Sequence, residues 1–304
     1  MKFIAFSVKR ILAAIPSLLL TSMVVFTLFM MMPGVMGADY DFGIIWSEYK
    51  KWVVNFLTGE LGVSSYYRVP VTVILKEKMK NTIILGLASL LITYVLSFFM
   101  GRYAGRHPNT LGDRLISGIN YSGLSFPMIV VAVYSIYFFS FELNWFPSNG
   151  SVDITVPEGT LEYWLDWLHH LILPATVLGI VATATYTQFL RDDIIDNSRK
   201  EYVRTARAIG VSEKRIYNVH ILRNSLIPIV TFLGFDMVNL VNGAIIVETV
   251  FTYPGIGQLF IKAINMRDHA MVMNLTMIFS TIMIVGNMIA DILYGVVDPR
   301  IKVE

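Results

Sequence analysis

Long apolar stretches alternate along this chain with short segments that hold most of its charges. A helix needs about 20 apolar residues to cross the ~30 Å hydrocarbon core of a bilayer. Six stretches are long enough, and only the last two contain a charge, Asp236 and Asp291. They are residues 11–32, 82–100, 116–141, 171–190, 226–247 and 271–297. The pattern predicts an all-α integral membrane protein with six transmembrane helices, in one transmembrane domain over residues 1–304.

The loops between these stretches indicate how the chain is oriented. Short cytoplasmic loops are enriched in Lys and Arg. Residues 191–225 carry eight Lys or Arg residues, whereas residues 142–170 carry none. Both termini and the 191–225 loop are therefore predicted to be cytoplasmic. The outer loop, residues 33–80, disagrees because it is also basic, but strict alternation of six spans outweighs it.

Two local patterns refine this topology. Residues Trp46–Leu57 place aromatic and aliphatic side chains at helical spacing, which predicts a helix at the membrane interface. Pro127 and Pro174 lie within apolar stretches and are expected to kink their helices.

Composition supports a chain solvated by lipid. Hydrophobic residues make up 55% of the sequence and charged residues 15%, against about a quarter in soluble domains. The net charge of +2 gives no reason to expect a nucleic-acid partner. The chain has no cysteine and no Gly-rich phosphate loop, so we expect it to bind no cofactor and to hydrolyse no ATP by itself. His169 and His170 are adjacent and would point to different helix faces, which disfavours a metal site.

The cytoplasmic loop is more organised than a solvated basic loop requires. Ser198 and Glu201 match a capping box at a helix start, and Gly210 suits the left-handed position after a helix end. Ser212 can cap a second helix that continues into the fifth span. A DNA-binding helix-turn-helix is disfavoured because the second helix enters lipid and cannot lie in a major groove. A short helix that docks into a cytoplasmic partner is the remaining interpretation, and the small Ala206 and Ala208 would permit close approach.

The loop and the last third of the chain resemble the permeases of binding-protein-dependent ABC importers, in the dipeptide, oligopeptide and nickel branch. The resemblance lies in Glu201-Tyr202-Val203-Arg204-Thr205-Ala206-Arg207-Ala208-Ile209-Gly210 and its continuation through residues 220–228. It extends to residues 248–257, Glu-Thr-Val-Phe-Thr-Tyr-Pro-Gly-Ile-Gly, and to the ending Asp298-Pro299-Arg300-Ile301.

This resemblance implies a function and a set of partners. The chain would be a pore-forming subunit in the cytoplasmic membrane of a bacterium or archaeon. Its partners would be a second homologous permease, two cytoplasmic ABC ATPase subunits that bind ATP and Mg²⁺, and an external substrate-binding protein or lipoprotein. Residues 201–210 would form the ATPase-coupling helix. Short peptides are the expected solutes, with nickel complexes or oligosaccharides as alternatives within the same architecture.

Polar residues inside the spans are candidates for the solute pathway. Asp236 lies at mid-span, where a charge costs roughly 2.5–3.5 kcal/mol unless it faces the bundle interior or water. It either lines the pathway or is a buried partner for Gln188, Asn239 or Asn242. An intramembrane enzyme would need a second catalytic group at this depth, and the sequence offers none beside Asp236. A secondary transporter would leave the organised loop without a role.

Overall fold

The computed structural model describes residues 2–31 and 42–297, with side chains from 12 to 31 and 42 to 290 except 230, 231, 233–235 and 237–243. The predicted ending 298–301 lies outside the described residues. The helices within these ranges are α1 (Lys2–Met30), α2 (Phe42–Thr58), α3 (Val71–Arg106), α4 (Leu111–Ser125), α5 (Met128–Ser135), α6 (Leu161–Ser198), α7 (Glu201–Ala208), α8 (Glu213–Arg215), α9 (Leu222–Val250), α10 (Ile256–Asn265) and α11 (His269–Val297). Two π-helical segments, Ile136–Glu142 after α5 and Ile216–Ile221 before α9, complete the helical structure of the described residues.

Apolar helices of membrane-spanning length dominate this architecture. Among the described residues, four helices are long and apolar enough to cross a membrane: α1, α3, α6 and α11. The segments Leu111–Ser125 and Met128–Glu142 together make a fifth candidate. The chain is therefore an all-α protein with several candidate spans. α9 is 29 residues long and contains the predicted fifth stretch, so the count of six stays a prediction.

The third predicted span is not one straight helix. Its two halves meet at an angle of 101°. Phe126 has extended backbone angles, and Pro127 begins the next helix. Proline lacks a backbone N–H and disfavours helical geometry at the residue before it, which explains why the helix breaks here. The predicted kink at Pro127 is confirmed, as a sharp break between two helices.

α3 and α6 form a closely packed pair, and both extend beyond their predicted spans. A Cβ atom at Gly101 would lie 2.9 Å from the Cβ of Leu190. A Cβ at Gly105 would lie 2.8 Å from the Cβ of Ile194. Two glycines four residues apart let helix backbones approach closely in a membrane. This contact holds the long α6 in place as it leads into the cytoplasmic loop.

The predicted interfacial helix is present as α2, which packs against α1. Its inward side chains Ile45 and Tyr49 are buried with Phe26 of α1. The Tyr49 hydroxyl is hydrogen-bonded to the Ser22 hydroxyl at 2.7 Å. The Trp52 ring lies 5.6 Å from Phe26, centroid to centroid. α2 thus covers one side of α1 with aromatic side chains.

Candidate functional site

α7 in the loop over residues 191–225 begins at Glu201 and ends at Ala208, close to its predicted bounds. The Gly210 backbone has φ +80°, and its N–H donates to the Arg207 carbonyl at 3.0 Å. The Val211 N–H donates to the Ala206 carbonyl at 3.1 Å. This pair of bonds is a Schellman motif, which closes a helix on a left-handed glycine. The predicted turn at Gly210 is confirmed.

The predicted capping box is wrong. Ser198 is the last residue of α6, and its hydroxyl donates back to the Ile195 carbonyl at 2.6 Å. Lys200 occupies the cap position of α7 without a side-chain hydrogen bond. Ser212 does lie at the cap position of α8, but its side chain makes no capping bond either. α7 is positioned by packing and by its C-terminal turn.

One face of α7 packs against a core cluster of the protein itself. Val203 is fully buried and Ala206 is 8% exposed. They join a cluster formed by the end of α6 and the start of α9, completed by Leu190, Ile194, Ile216, Tyr217, Ile221 and Leu222. Val203 and Ala206 are three residues apart on the helix, and both face this cluster. The expectation that Ala206 approaches a partner is therefore wrong. Ala208 is exposed, in agreement with that expectation.

The opposite face of α7 is polar and exposed. Arg204 pairs with Glu201 at 2.8 Å, and Arg207 pairs with Glu213 across the Gly210 turn at 2.7 Å. The hydrogen bonds from Arg207 lower the pKa of Glu213 below its usual range. Ile209 is 74% exposed at the tip of the loop. The exposed surface of this loop therefore combines an apolar side chain, Ile209, with the two neighbouring ion pairs.

Asn197, which the sequence analysis did not single out, connects α7 to the two long helices. It is 3% exposed. Its side-chain carbonyl accepts hydrogen bonds from Lys200 Nζ and the Tyr202 hydroxyl, both at 2.9 Å. Its amide nitrogen donates to Ser225 Oγ at 3.0 Å and to the Asp193 carboxylate at 2.6 Å. One side chain therefore joins α6, α7 and α9.

A buried ion pair joins α4 to α6 near the cytoplasmic loop. Asp113 is 2% exposed and accepts hydrogen bonds from the Arg191 guanidinium, including one from Nη2 at 2.9 Å. The Asn109 N–H donates to the same carboxylate at 2.7 Å. Because the Asp113 carboxylate is held by the Arg191 guanidinium and by a backbone N–H, this contact fixes the position of α4 relative to α6.

Asp236 lies in a pocket inside the helical bundle and is 3% exposed. The Tyr94 hydroxyl of α3 donates to one carboxylate oxygen, and the Tyr186 hydroxyl of α6 donates to the other. The pocket has a volume of about 280 Å³ and is bounded by α3, α6, α9 and the bend between α4 and α5. Its lining residues are Ser89, Leu90, Thr93, Leu124, Met128, Leu178, Val181, Ala182, Thr185, Tyr186 and Asp236.

The other predicted pathway residues do not join this pocket among the described side chains. Gln188 is 8% exposed, and neither polar atom of its side chain has a described hydrogen-bond partner. The side chains of Asn239 and Asn242 lie outside the described residues. The partners found for Asp236 are instead two tyrosines. An acidic residue in one apolar stretch and phenol hydroxyls in two others could have suggested this grouping.

The motif over residues 248–257 forms a latch at the other end of the bundle. Glu248 is fully buried at the end of α9. Its carboxylate accepts hydrogen bonds from the Thr82 hydroxyl at 2.5 Å and from the N–H of Gly257 at 2.7 Å. A Cβ at Gly255 would lie 2.1 Å from the Glu248 carboxylate. The glycines of the motif thus leave room for a carboxylate that caps α10.

The rings of His169 and His170 are each hydrogen-bonded to a backbone carbonyl. The His169 ring lies 2.7 Å from the Trp145 carbonyl, and the His170 ring lies 2.9 Å from the Asp166 carbonyl. Within the described ranges, no group of three His, Asp or Glu residues could hold a metal ion.

Comparison with known families decides what this architecture is. Residues 94–303, more than half of the chain, match the model of the binding-protein-dependent transport system inner membrane component. The chain belongs to this family. The matched region runs from Tyr94 in α3 through the 191–225 loop, Asp236 and the Glu248 latch. The resemblance seen in residues 201–210 and in residues 248–257 is confirmed.

Full-length relatives are transport permeases. The chain is 33% identical to the oligopeptide transport system permease protein AppB of Bacillus subtilis (strain 168), over 98% of this chain and 99% of the relative. It is 31% identical to the glutathione transport system permease protein GsiC of Escherichia coli (strain K12), over 97% and 98%. The same protein of Shigella flexneri serotype 5b is also 31% identical over those shares. The chain is thus the membrane component of a binding-protein-dependent transport system.

Proposed function

We propose that this chain is one of two pore-forming permeases of an ATP-driven ABC importer for short peptides. Its second permease is a homologue, and two cytoplasmic ATPase subunits bind ATP and Mg²⁺. An external binding protein or lipoprotein delivers the solute. The observation that carries the proposal is α7, a short helix with a packed inner face and an exposed outer face.

α7 has the mechanical properties that coupling requires. Val203 and Ala206 anchor it on the membrane domain, and Gly210 ends it in a defined turn. Asn197 ties it to α6 and α9. A partner that pushes on Arg204, Arg207 and Ile209 would therefore move the long helices, whereas a flexible loop would absorb the push. Residues 201–210 are the proposed coupling element.

Asp236 is proposed to line the solute pathway. It is 3% exposed, and it lies beside a cavity that reaches the bend between α4 and α5. Each carboxylate oxygen accepts one tyrosine hydrogen bond and can accept a second, and no further donor to this carboxylate lies among the described side chains. Gln188, Asn239 and Asn242 remain candidate pathway residues on the neighbouring helices.

Peptides are favoured over nickel complexes and oligosaccharides as the solute. The relatives are named for oligopeptides and for glutathione, which is a tripeptide.

Uptake by the reconstituted complex tests the function. Proteoliposomes that hold both permeases, the ATPases and the binding protein should accumulate trialanine only when ATP is supplied to the ATPase side. An ATPase-inactive partner subunit should abolish accumulation. Uptake driven by an ion gradient without ATP would overturn the importer proposal in favour of a secondary transporter.

Orientation is tested separately by cysteine labelling. The chain has no native cysteine, so single-cysteine variants give an unambiguous signal. Ser212→Cys in the α7–α8 turn should react with an impermeant thiol reagent only from the cytoplasmic side. Ile154→Cys, whose native side chain is fully exposed in the opposite loop, should react only from outside. The reverse pattern would contradict the proposed topology.

A further inference from the structure

We propose that the pocket beside Asp236 recognises a primary ammonium group, such as the amino terminus of a peptide. The proposal rests on the proposed permease function, because it assigns a chemical preference to the same pathway. It follows from the donors and acceptors that the pocket presents.

The hydroxyl hydrogens around the pocket are largely used by the protein itself. Tyr94 and Tyr186 each have a single O–H donor, and both donate to Asp236. Ser89 donates to the Gly86 carbonyl at 2.8 Å. The Thr93 hydroxyl of α3 donates to the Gly179 carbonyl of α6 at 3.0 Å. Tyr94 lies outside the pocket lining. Ser89, Thr93 and Tyr186 line the pocket and therefore offer it oxygen lone pairs, because their hydroxyl hydrogens are already used.

Thr185 is the exception among the pocket hydroxyls. It is exposed, and its hydroxyl has no hydrogen-bond partner among the described residues. One rotatable donor can serve a neighbouring carbonyl of the solute. It does not change the excess of acceptors around Asp236.

The charge of the pocket is also unbalanced. Among the described side chains, the ion pairs are formed by other residues, and none includes Asp236. A buried carboxylate without a cationic partner favours a ligand that brings positive charge.

An ammonium group answers both requirements. It has three N–H donors, no acceptor and one positive charge, whereas a carboxylate or phosphate would meet lone pairs and negative charge. The pocket holds about 280 Å³, room for roughly nine water molecules at ~30 Å³ each. That volume suits one terminal residue of a solute. It is below the range of about 300–1,000 Å³ typical of pockets that enclose a whole drug-sized ligand.

Direct binding to the purified complex in nanodiscs tests the assignment without the external binding protein, which would impose its own selection. The probes are trialanine and N-acetyl-trialanine. Acetylation removes the terminal positive charge, leaves one N–H donor in place of three, and adds an acetyl group. We expect wild type to bind trialanine about tenfold more tightly, a difference of about 1.4 kcal/mol. Asp236→Asn should bind both probes with the weaker affinity, and Asp236→Glu should retain most of the preference.

The origin of the ammonium group is resolved by a third probe, N-acetyl-Ala-Lys-Ala. Binding as tight as that of trialanine indicates a site for any primary ammonium. Binding as weak as that of N-acetyl-trialanine restricts the site to the amino terminus. Equal wild-type affinity for trialanine and both acetylated probes overturns the proposal.

Failure of Asp236→Asn to assemble does not remove the test. Ser89→Ala keeps Asp236 with both of its tyrosine donors and removes one acceptor oxygen from the pocket wall, so it should weaken trialanine binding several-fold and leave N-acetyl-trialanine unchanged. Equal weakening of both probes overturns the proposal. A complex that transports both peptides equally and shows no binding preference keeps the importer function and loses the ammonium site. A complex that binds trialanine preferentially but transports neither peptide keeps the ammonium site and loses the importer function.

Discussion

The amide of Asn197 donates a hydrogen bond to the hydroxyl of Ser225 at 3.0 Å, and this bond joins the end of α6 to the start of α9. The same side chain accepts from Tyr202 in α7. The Asn197 side chain therefore holds the two ends of the loop between α6 and α9 together, and it also holds α7 within that loop.

Replacement of Asn197 should uncouple α7 from the long helices. Asn197→Ala would leave the buried Ser225 hydroxyl and the Tyr202 hydroxyl without this partner, at a cost of about 1–3 kcal/mol. We expect normal membrane insertion, reduced peptide uptake and fewer solutes moved per ATP hydrolysed. Uptake and ATPase rates in proteoliposomes measure the ratio. The neighbouring exposed residue provides the control, since Asp196→Ala should keep the wild-type ratio.

The turn after α7 should tolerate asparagine better than other substitutions. Gly210 has φ +80°, and a Cβ added there would meet no atom within 4 Å, so the penalty of a side chain is conformational. Left-handed backbone costs most L-residues about 1–2 kcal/mol, whereas Asn adopts it more readily. Gly210→Val should weaken ATPase-subunit binding in a pull-down assay, and Gly210→Asn should bind nearly as wild type. Equal binding by both variants would contradict this role of the turn.

The parts of this protein that the sequence predicted depend on local chemistry. Apolar length placed the long helices, because crossing lipid requires about 20 residues wherever the segment lies. Gly210 was recognised because few other residues adopt a left-handed conformation after a helix. Pro127 was recognised because proline disrupts a helix at its own position. None of these inferences requires knowledge of which helices are neighbours.

The parts that were missed depend on helix packing. Tyr94 and Asp236 are 142 residues apart, and only the arrangement of α3 against α9 brings them together. Thr82 and Glu248 are 166 residues apart and meet for the same kind of reason. The capping box failed because α6 continues through Ser198, so the residues expected to start one helix end another. A local motif cannot reveal where a long helix stops when packing extends it.

The two alanines of α7 should respond differently to a large side chain. Ala206 faces the core cluster under α7, so Ala206→Trp should destabilise the folded chain by about 1–3 kcal/mol or more through overpacking. Ala208 is exposed, so Ala208→Trp should leave stability unchanged and block a partner that docks there. Thermal unfolding in detergent and pull-down of the ATPase subunits separate the two effects. Loss of ATPase binding in a fully stable Ala206→Trp variant would mean that this residue faces the partner after all.

The Glu248 latch should be sensitive to both its carboxylate and its glycines. The carboxylate lies at the N-terminus of α10, where a negative charge contributes about 0.3–1 kcal/mol, and up to ~2 kcal/mol when partly buried. Glu248→Ala should therefore lower the melting temperature more than Glu248→Gln, which keeps one acceptor oxygen. Gly255→Ala should also destabilise the folded chain, because its Cβ would overlap the Glu248 carboxylate.

Gly118→Ala is the matched control, since a Cβ there meets no atom within 4 Å and Ala favours a helix. We expect Gly118→Ala to melt at or slightly above the wild-type temperature. Equal melting of the Gly255→Ala and Gly118→Ala variants would show that the loop can move away from Glu248 and that the latch does not fix it.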